Sequence, residues 1–260
     1  MTMPLNSNRF LLKAAEAATS VVQPFANRLA RRKAQDIELE LQRRALATTV
    51  DFVQQQMPHI KGTSSKFDLL NEAIRRADIS EGRLICEFGV FIARLTSNTV
   101  FGFDSFEGLP EEWNKKVPQG HFALKSLPAV RSNVTLVKGW FNESLPSFLA
   151  QHAGAVGFLH IDCDLYSSTR TVFELLAPRL GPGTVIVFDE YFNYPNWEEG
   201  EHKAFTEFLD STGLAADYIG IPPPTRTSRS YLATASALAS AERGISIRTW
   251  RRRRCDGAGD

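Results

Sequence analysis

The chain has 260 residues, 43% of them hydrophobic and 23% charged, which suits one sizeable globular domain with extensions. A formal net charge of +1 leaves no basic footprint for nucleic acid, and no apolar run reaches the length of a membrane span. Cys86, Cys163 and Cys255 are odd in number and without paired spacing, which argues against a disulfide framework or zinc cage and fits a reducing cytoplasm.

The first 35 residues are rich in Arg and Lys, a composition shared by organelle presequences and ordinary amphipathic helices. Residues 9–57 carry one proline, Pro24, and almost no glycine, so one or two helices are expected in a helical extension over 1–60. Ile37, Leu41, Ala45, Val50 and Val53 make a broken apolar stripe. It suits packing on the chain's own domain, a lid over a pocket, or a homo-oligomer contact.

Pro58 to Ser65 reads as a break. An amphipathic helix is then expected over Lys66 to Asp78, with Phe67, Leu70, Ile74 and Ala77 on one face. Strands are expected at ICEFGV (85–90), TVFGFD (99–104), Val134–Lys138, Val156–Asp162 and Thr184–Asp189, with a weaker one at Asp217–Ile221. Helical stretches alternate with them at Leu145–His152, Thr169–Leu180 and Glu201–Ser211, and Gly181-Pro182-Gly183 punctuates the sequence between the last two strong strands. This alternation, with strands apolar on both faces, predicts an α/β, Rossmann-like, doubly wound and mostly parallel sheet over 61–221.

Ligands of such sheets bind beyond the carboxyl ends of the strands. Here those ends read Glu87-Phe88-Gly89, Asp104-Ser105, Gly139-Trp140, Asp162-Cys163-Asp164 and Asp189-Glu190. Gly89 suits close backbone approach, and Asp104 stands where an acid holds ribose hydroxyls. Asp162, Asp189 and Glu190 are hard oxygen donors suited to Mg²⁺. Asp164 reads as a cap for the helix beginning near Ser167.

HIDCDLYSST (160–169), GPGTVIVFDEY (181–191), GFDSFEGLPEEW (102–113), KGWFNESLP (138–146) and NWEEGEHKAFTEF (196–208) together resemble the macrocin O-methyltransferase family. The resemblance covers roughly residues 66–220. It implies a class I S-adenosylmethionine-dependent methyltransferase acting, with Mg²⁺, on a hydroxyl of a sugar or other small natural-product-type molecule. It implies Glu87, Gly89, Asp104, Ser105, Gly139, Trp140 and Ser167 at the cofactor, and Asp162, Asp189 and Glu190 at the metal. It implies no general base. His160 reads as a packed core histidine, and His202 as either a substrate-side group or a solvated helix face.

Two departures stand out. The resembled family places a glycine turn and a helix after its EFGV strand, whereas here FIARLTSN alone separates the first two strands, so the first crossover is shortened. Residues 222–260, rich in Ser, Ala, Arg and Pro, read as a flexible tail without a strong strand. These departures sustain an alternative, a methyltransferase-fold protein impaired in cofactor binding. A nicotinamide-dependent oxidoreductase is disfavoured, because no GxGxxG is present and the acidic triad would go unused.

Overall fold

A computed structural model describes residues 36–60, 62–88, 92–222 and 232–240, the last of these as backbone. The chain divides into two compact units, Met1–Arg44 and Ala45–Asp260. The described part of the first is helical after Asp36, with Arg44 Nε 3.1 Å from Glu40 Oε1 one turn earlier. The first expected N-terminal helix lies outside the described residues.

The second unit is built on a seven-stranded sheet. Strands β1 (Leu84–Phe88), β2 (Val100–Asp104), β3 (Val134–Lys138), β4 (Val156–Ile161) and β5 (Val185–Phe192) are parallel; β6 (Leu214–Gly220) and β7 (Leu232–Ser240) complete the order β3-β2-β1-β4-β5-β7-β6. This is a Rossmann-like, doubly wound arrangement. The order in which strands are added reverses between β1 and β4, which places the topological switch point at their carboxyl ends. Every residue of β1 and β4 is buried, as their near-continuous apolar runs suggest, whereas the edge strand β3 is half-exposed.

The helices are α1 (Ile37–Gln56), α2 (Lys66–Arg76), α3 (Phe141–Gln151), α4 (Tyr166–Leu176) and α5 (Glu201–Thr212). Ser65 caps α2, accepting the Asp68 N–H at 3.1 Å. The buried face of α2 is Leu69, Leu70, Ala73 and Ile74, so the expected face is rotated and Phe67 is exposed. In α1, Phe52 is fully buried and meets Tyr191, Trp197, His202 and Tyr218 edge-on. Among the described residues no helix is long and apolar enough to cross a membrane.

Two further expectations are settled by backbone pairing. The first crossover is indeed short: between β1 and β2 the described chain forms only a 3-10 turn, Ile92–Arg94. It is stitched down by side chains. The Ile92 N–H donates to the Glu87 carboxylate at 3.0 Å, and Asn133 Nδ2 lies 2.9 Å from Ala93 O and 3.0 Å from Thr96 O. The reading of 222–260 as a flexible tail is corrected over Leu232–Ser240. Those residues form β7, antiparallel to both β5 and β6, and the remainder of the segment past Pro222 lies outside the described residues. The four alanines and two serines of this segment carry weak strand propensity, so the strand is specified by the two ladders on either side of it.

One glycine shows how tightly the sheet meets its surroundings. A Cβ on Gly157, at the start of β4, would stand 1.9 Å from Asp78 O, so only glycine lets these backbones approach.

Candidate active site

A cavity of about 780 Å³ opens at the carboxyl ends of the parallel strands. Of the expected site residues, Asp104, Ser105, Trp140, Asp162, Ser167 and Glu190 line it. Gly139 borders instead a separate hollow of about 440 Å³ beside β3. Gly89 lies outside the described residues. Glu87 faces the core: it is 1% exposed, holds Ile92 N–H, and places Oε1 3.2 Å from His160 Nδ1.

The β2 end forms a tight corner. Asp104 Oδ1 accepts the Phe106 N–H, and Ser105 Oγ accepts the Glu107 N–H at 3.1 Å. Phe106 has φ of 60°, a left-handed turn that folds the chain back over the cavity. Burial raises the Asp104 carboxyl above the ordinary aspartate range, partly offset by the Phe106 N–H. Gly108 allows the loop to close, since a Cβ there would meet His121 O at 2.3 Å in a backbone of φ +82°. Ser167 Oγ donates to Glu111 Oε1 at 2.6 Å, and the Trp113 ring meets that of Tyr194, so the β2–β3 connection is pinned on two sides.

The ends of β4 and β5 bring the acids together. Asp162, Asp189 and Glu190 each offer a carboxylate oxygen within 4.8 Å of the others. Burial first, then the Asp189 charge, raises Asp162 to about 6 and Glu190 well above the usual glutamate range. Glu190 Oε2 is buried without a hydrogen-bond partner. Crowded, desolvated carboxylates with an unsatisfied oxygen are the donor set that a hard divalent cation satisfies, so these residues fit Mg²⁺.

Several features were not legible in the sequence. Asp164 is no cap: α4 begins at Tyr166, its N-cap is Leu165, and no side chain caps it. Asp164 instead has φ of 61°, lines the cavity, and is raised to about 7 by burial and by the charges of Asp162 and Asp189. Lys66, at the first residue of α2, forms an ion pair with Asp189 Oδ1. Glu201 is fully buried with neither carboxylate oxygen hydrogen-bonded, and burial followed by the Glu190 charge pushes its affinity for a proton well up. His202 does not face solvent: it is 3% exposed and packs edge-on against Trp197 and Phe52. The repeated acids of DCD signalled Asp164; nothing in the sequence marked Lys66.

Comparison with known proteins falls on this same segment. A family profile described as a methyltransferase domain matches residues 79–191. A curated relative from Streptomyces olivaceus, an 8-demethyl-8-(2,3-dimethoxy-alpha-L-rhamnosyl)-tetracenomycin-C 4'-O-methyltransferase, is 33% identical over 116 residues, covering 37% of this chain and 43% of the relative. The chain thus spans less than half the length of that relative. Among solved structures, a calicheamicin methyltransferase is similar with TM-score 0.47 and 21% identity over 78% of this chain and 93% of its own. The O-methyltransferase NovP is similar with TM-score 0.47 and 19% identity over 65% of this chain and 76% of its own.

Proposed function

We propose that the chain, whose residues 79–191 match a methyltransferase-domain profile, moves a methyl group from S-adenosylmethionine to a hydroxyl of a sugar or similar small natural-product acceptor. The observation that carries this reading is the meeting of the Asp104–Ser105 corner and the Asp162, Asp164 and Glu190 carboxylates in one cavity. The name of the 33% identical relative, which specifies a rhamnosyl-bearing acceptor, supports a sugar hydroxyl.

In this reading Asp104 takes the ribose hydroxyls of the methyl donor, and Trp140 and Phe103 contribute apolar wall beside it. Asp162, Asp189 and Glu190 would hold Mg²⁺, whose chemistry is to lower the pKa of an acceptor hydroxyl and fix its direction. Asp164 lines the same cavity and is the carboxylate that accepts the hydroxyl proton as the new O–C bond forms and the S–C bond of the sulfonium breaks. Trp113 and Leu109 border the same space and shield the transfer from water.

The test is incubation of the full chain with methyl-labelled S-adenosylmethionine, Mg²⁺ and a panel of glycosides and phenols, read by mass spectrometry. One labelled methyl on an acceptor is expected, and it should vanish in Asp164→Asn. A second reading, an impaired protein of the same fold, is favoured by one observation: the short β1–β2 crossover, whose described part is a single 3-10 turn. Absence of labelled product from every acceptor, together with absence of donor binding, would favour that second reading.

A further inference from the structure

The proposed cation site has an occupant supplied by the chain itself. Lys66 Nζ pairs with Asp189 Oδ1, the Asp189 side chain being 19% exposed and that of Lys66 43%. The lysine is presented by a fixed support. Ser65 caps α2, Thr63 N donates to Ile221 O at 2.9 Å, and Thr63 Oγ1 donates to Ser65 O at 3.0 Å. The start of α2 is thereby tied to the chain just beyond β6.

Three carboxylates whose oxygens lie within 4.8 Å repel one another strongly when desolvated. The ammonium that pairs directly with this cluster is that of Lys66. We propose that Lys66 is the resident counter-cation of the triad and the residue that sets its affinity for a divalent ion. An ion that takes Asp189 Oδ1 exchanges with the ammonium instead of adding to it. Lys66 is therefore a positioning residue acting through Asp189, and it limits how tightly the metal-free protein takes up a cation. This inference rests on the reading of the triad as a cation site.

Mn²⁺ titration of the full chain without methyl donor, followed by calorimetry or electron paramagnetic resonance, separates the possibilities. Lys66→Met is expected to bind Mn²⁺ about tenfold tighter or more, because a competing charge a few ångströms away is gone. It is also expected to melt at lower temperature without metal. Lys66→Arg keeps the charge and should stay within about threefold of the parent. Lys66→Gln substitutes if the methionine variant fails to fold. In the unmutated protein, saturating Mn²⁺ should raise acetylation of Lys66 by an amine-reactive ester, read by peptide mass spectrometry. Equal or weaker Mn²⁺ binding by Lys66→Met, or Lys66 reactivity unchanged at Mn²⁺ saturation, overturns the exchange. If no variant binds millimolar Mn²⁺, the cation-site reading itself fails and takes the exchange with it.

Discussion

Glu87 and His160 face each other across the adjacent parallel strands β1 and β4, Oε1 3.2 Å from Nδ1, with neither side chain reaching solvent. The same carboxylate holds the Ile92 N–H that opens the short crossover. One acid thus joins the sheet centre to the β1–β2 connection. Removing it strands a buried N–H and a buried imidazole together. Glu87→Ala is expected to cost about 3–5 kcal/mol, as for other broken buried pairs, measured by urea unfolding at constant m-value. A loss below about 1 kcal/mol would show that the pair does not hold the crossover.

Phe52 docks the second half of α1 onto the domain. Its ring meets Trp197 at 5.5 Å and His202 at 5.1 Å, while Trp197 Nε1 donates to Thr48 Oγ1 at 2.9 Å from the same helix. Phe52→Ala should destabilise the protein by about 3–5 kcal/mol through lost burial and the cavity left behind. Unfolding of the variant in two separated transitions, with the main one unmoved, would mean that the helix is an appendage and not part of the core.

How much of this was legible follows from how locally each feature is specified. Strands β1, β4 and β5 were readable because both faces are covered, so each carries a near-continuous apolar run. The triad was readable because each acid directly ends such a run. β7 was not, since LATASALAS has neither apolar continuity nor strong strand propensity, and its conformation comes from pairing with β5 and β6. Phe67 and His202 exchanged expected surroundings for a similar reason: a helical period sets which residues share a face, but packing decides how far that face is turned. The Lys66–Asp189 pair joins residues far apart in the chain, and no local pattern announces such a contact.

Ala237 of β7 is paired with Val185 on one side and Asp217 on the other. A proline there removes a backbone donor in the middle of the sheet. Ala237→Pro is expected to cost at least about 1–3 kcal/mol for the lost bond and to lower the melting temperature, read by circular dichroism. An unchanged melting temperature would contradict the central placement of β7.

Asp104 separates stability from ligand binding. Burial raises its carboxyl above the unfolded-state value, so its contribution to folding is most favourable below that unfolded value and is lost as pH rises through the folded one. Asp104→Asn can still accept the Phe106 N–H. It should therefore melt at or above the parent temperature at pH 7, with that advantage gone near pH 3. Its binding of S-adenosylhomocysteine should fall about tenfold or more, because the hydrogen bonds lost are to a charged acceptor. A variant that melts lower at pH 7 yet binds equally well would refute both assignments.

The short crossover makes cofactor binding the decisive question, because the described chain between β1 and β2 forms a single 3-10 turn. Isothermal titration of the full chain with S-adenosylhomocysteine answers it directly. Saturable one-site binding with a dissociation constant at or below about 10⁻⁴ M, a binding free energy of about −5.5 kcal/mol or better, is the expected result. No heat of binding at millimolar ligand would contradict the assignment of this cavity to a methyl donor.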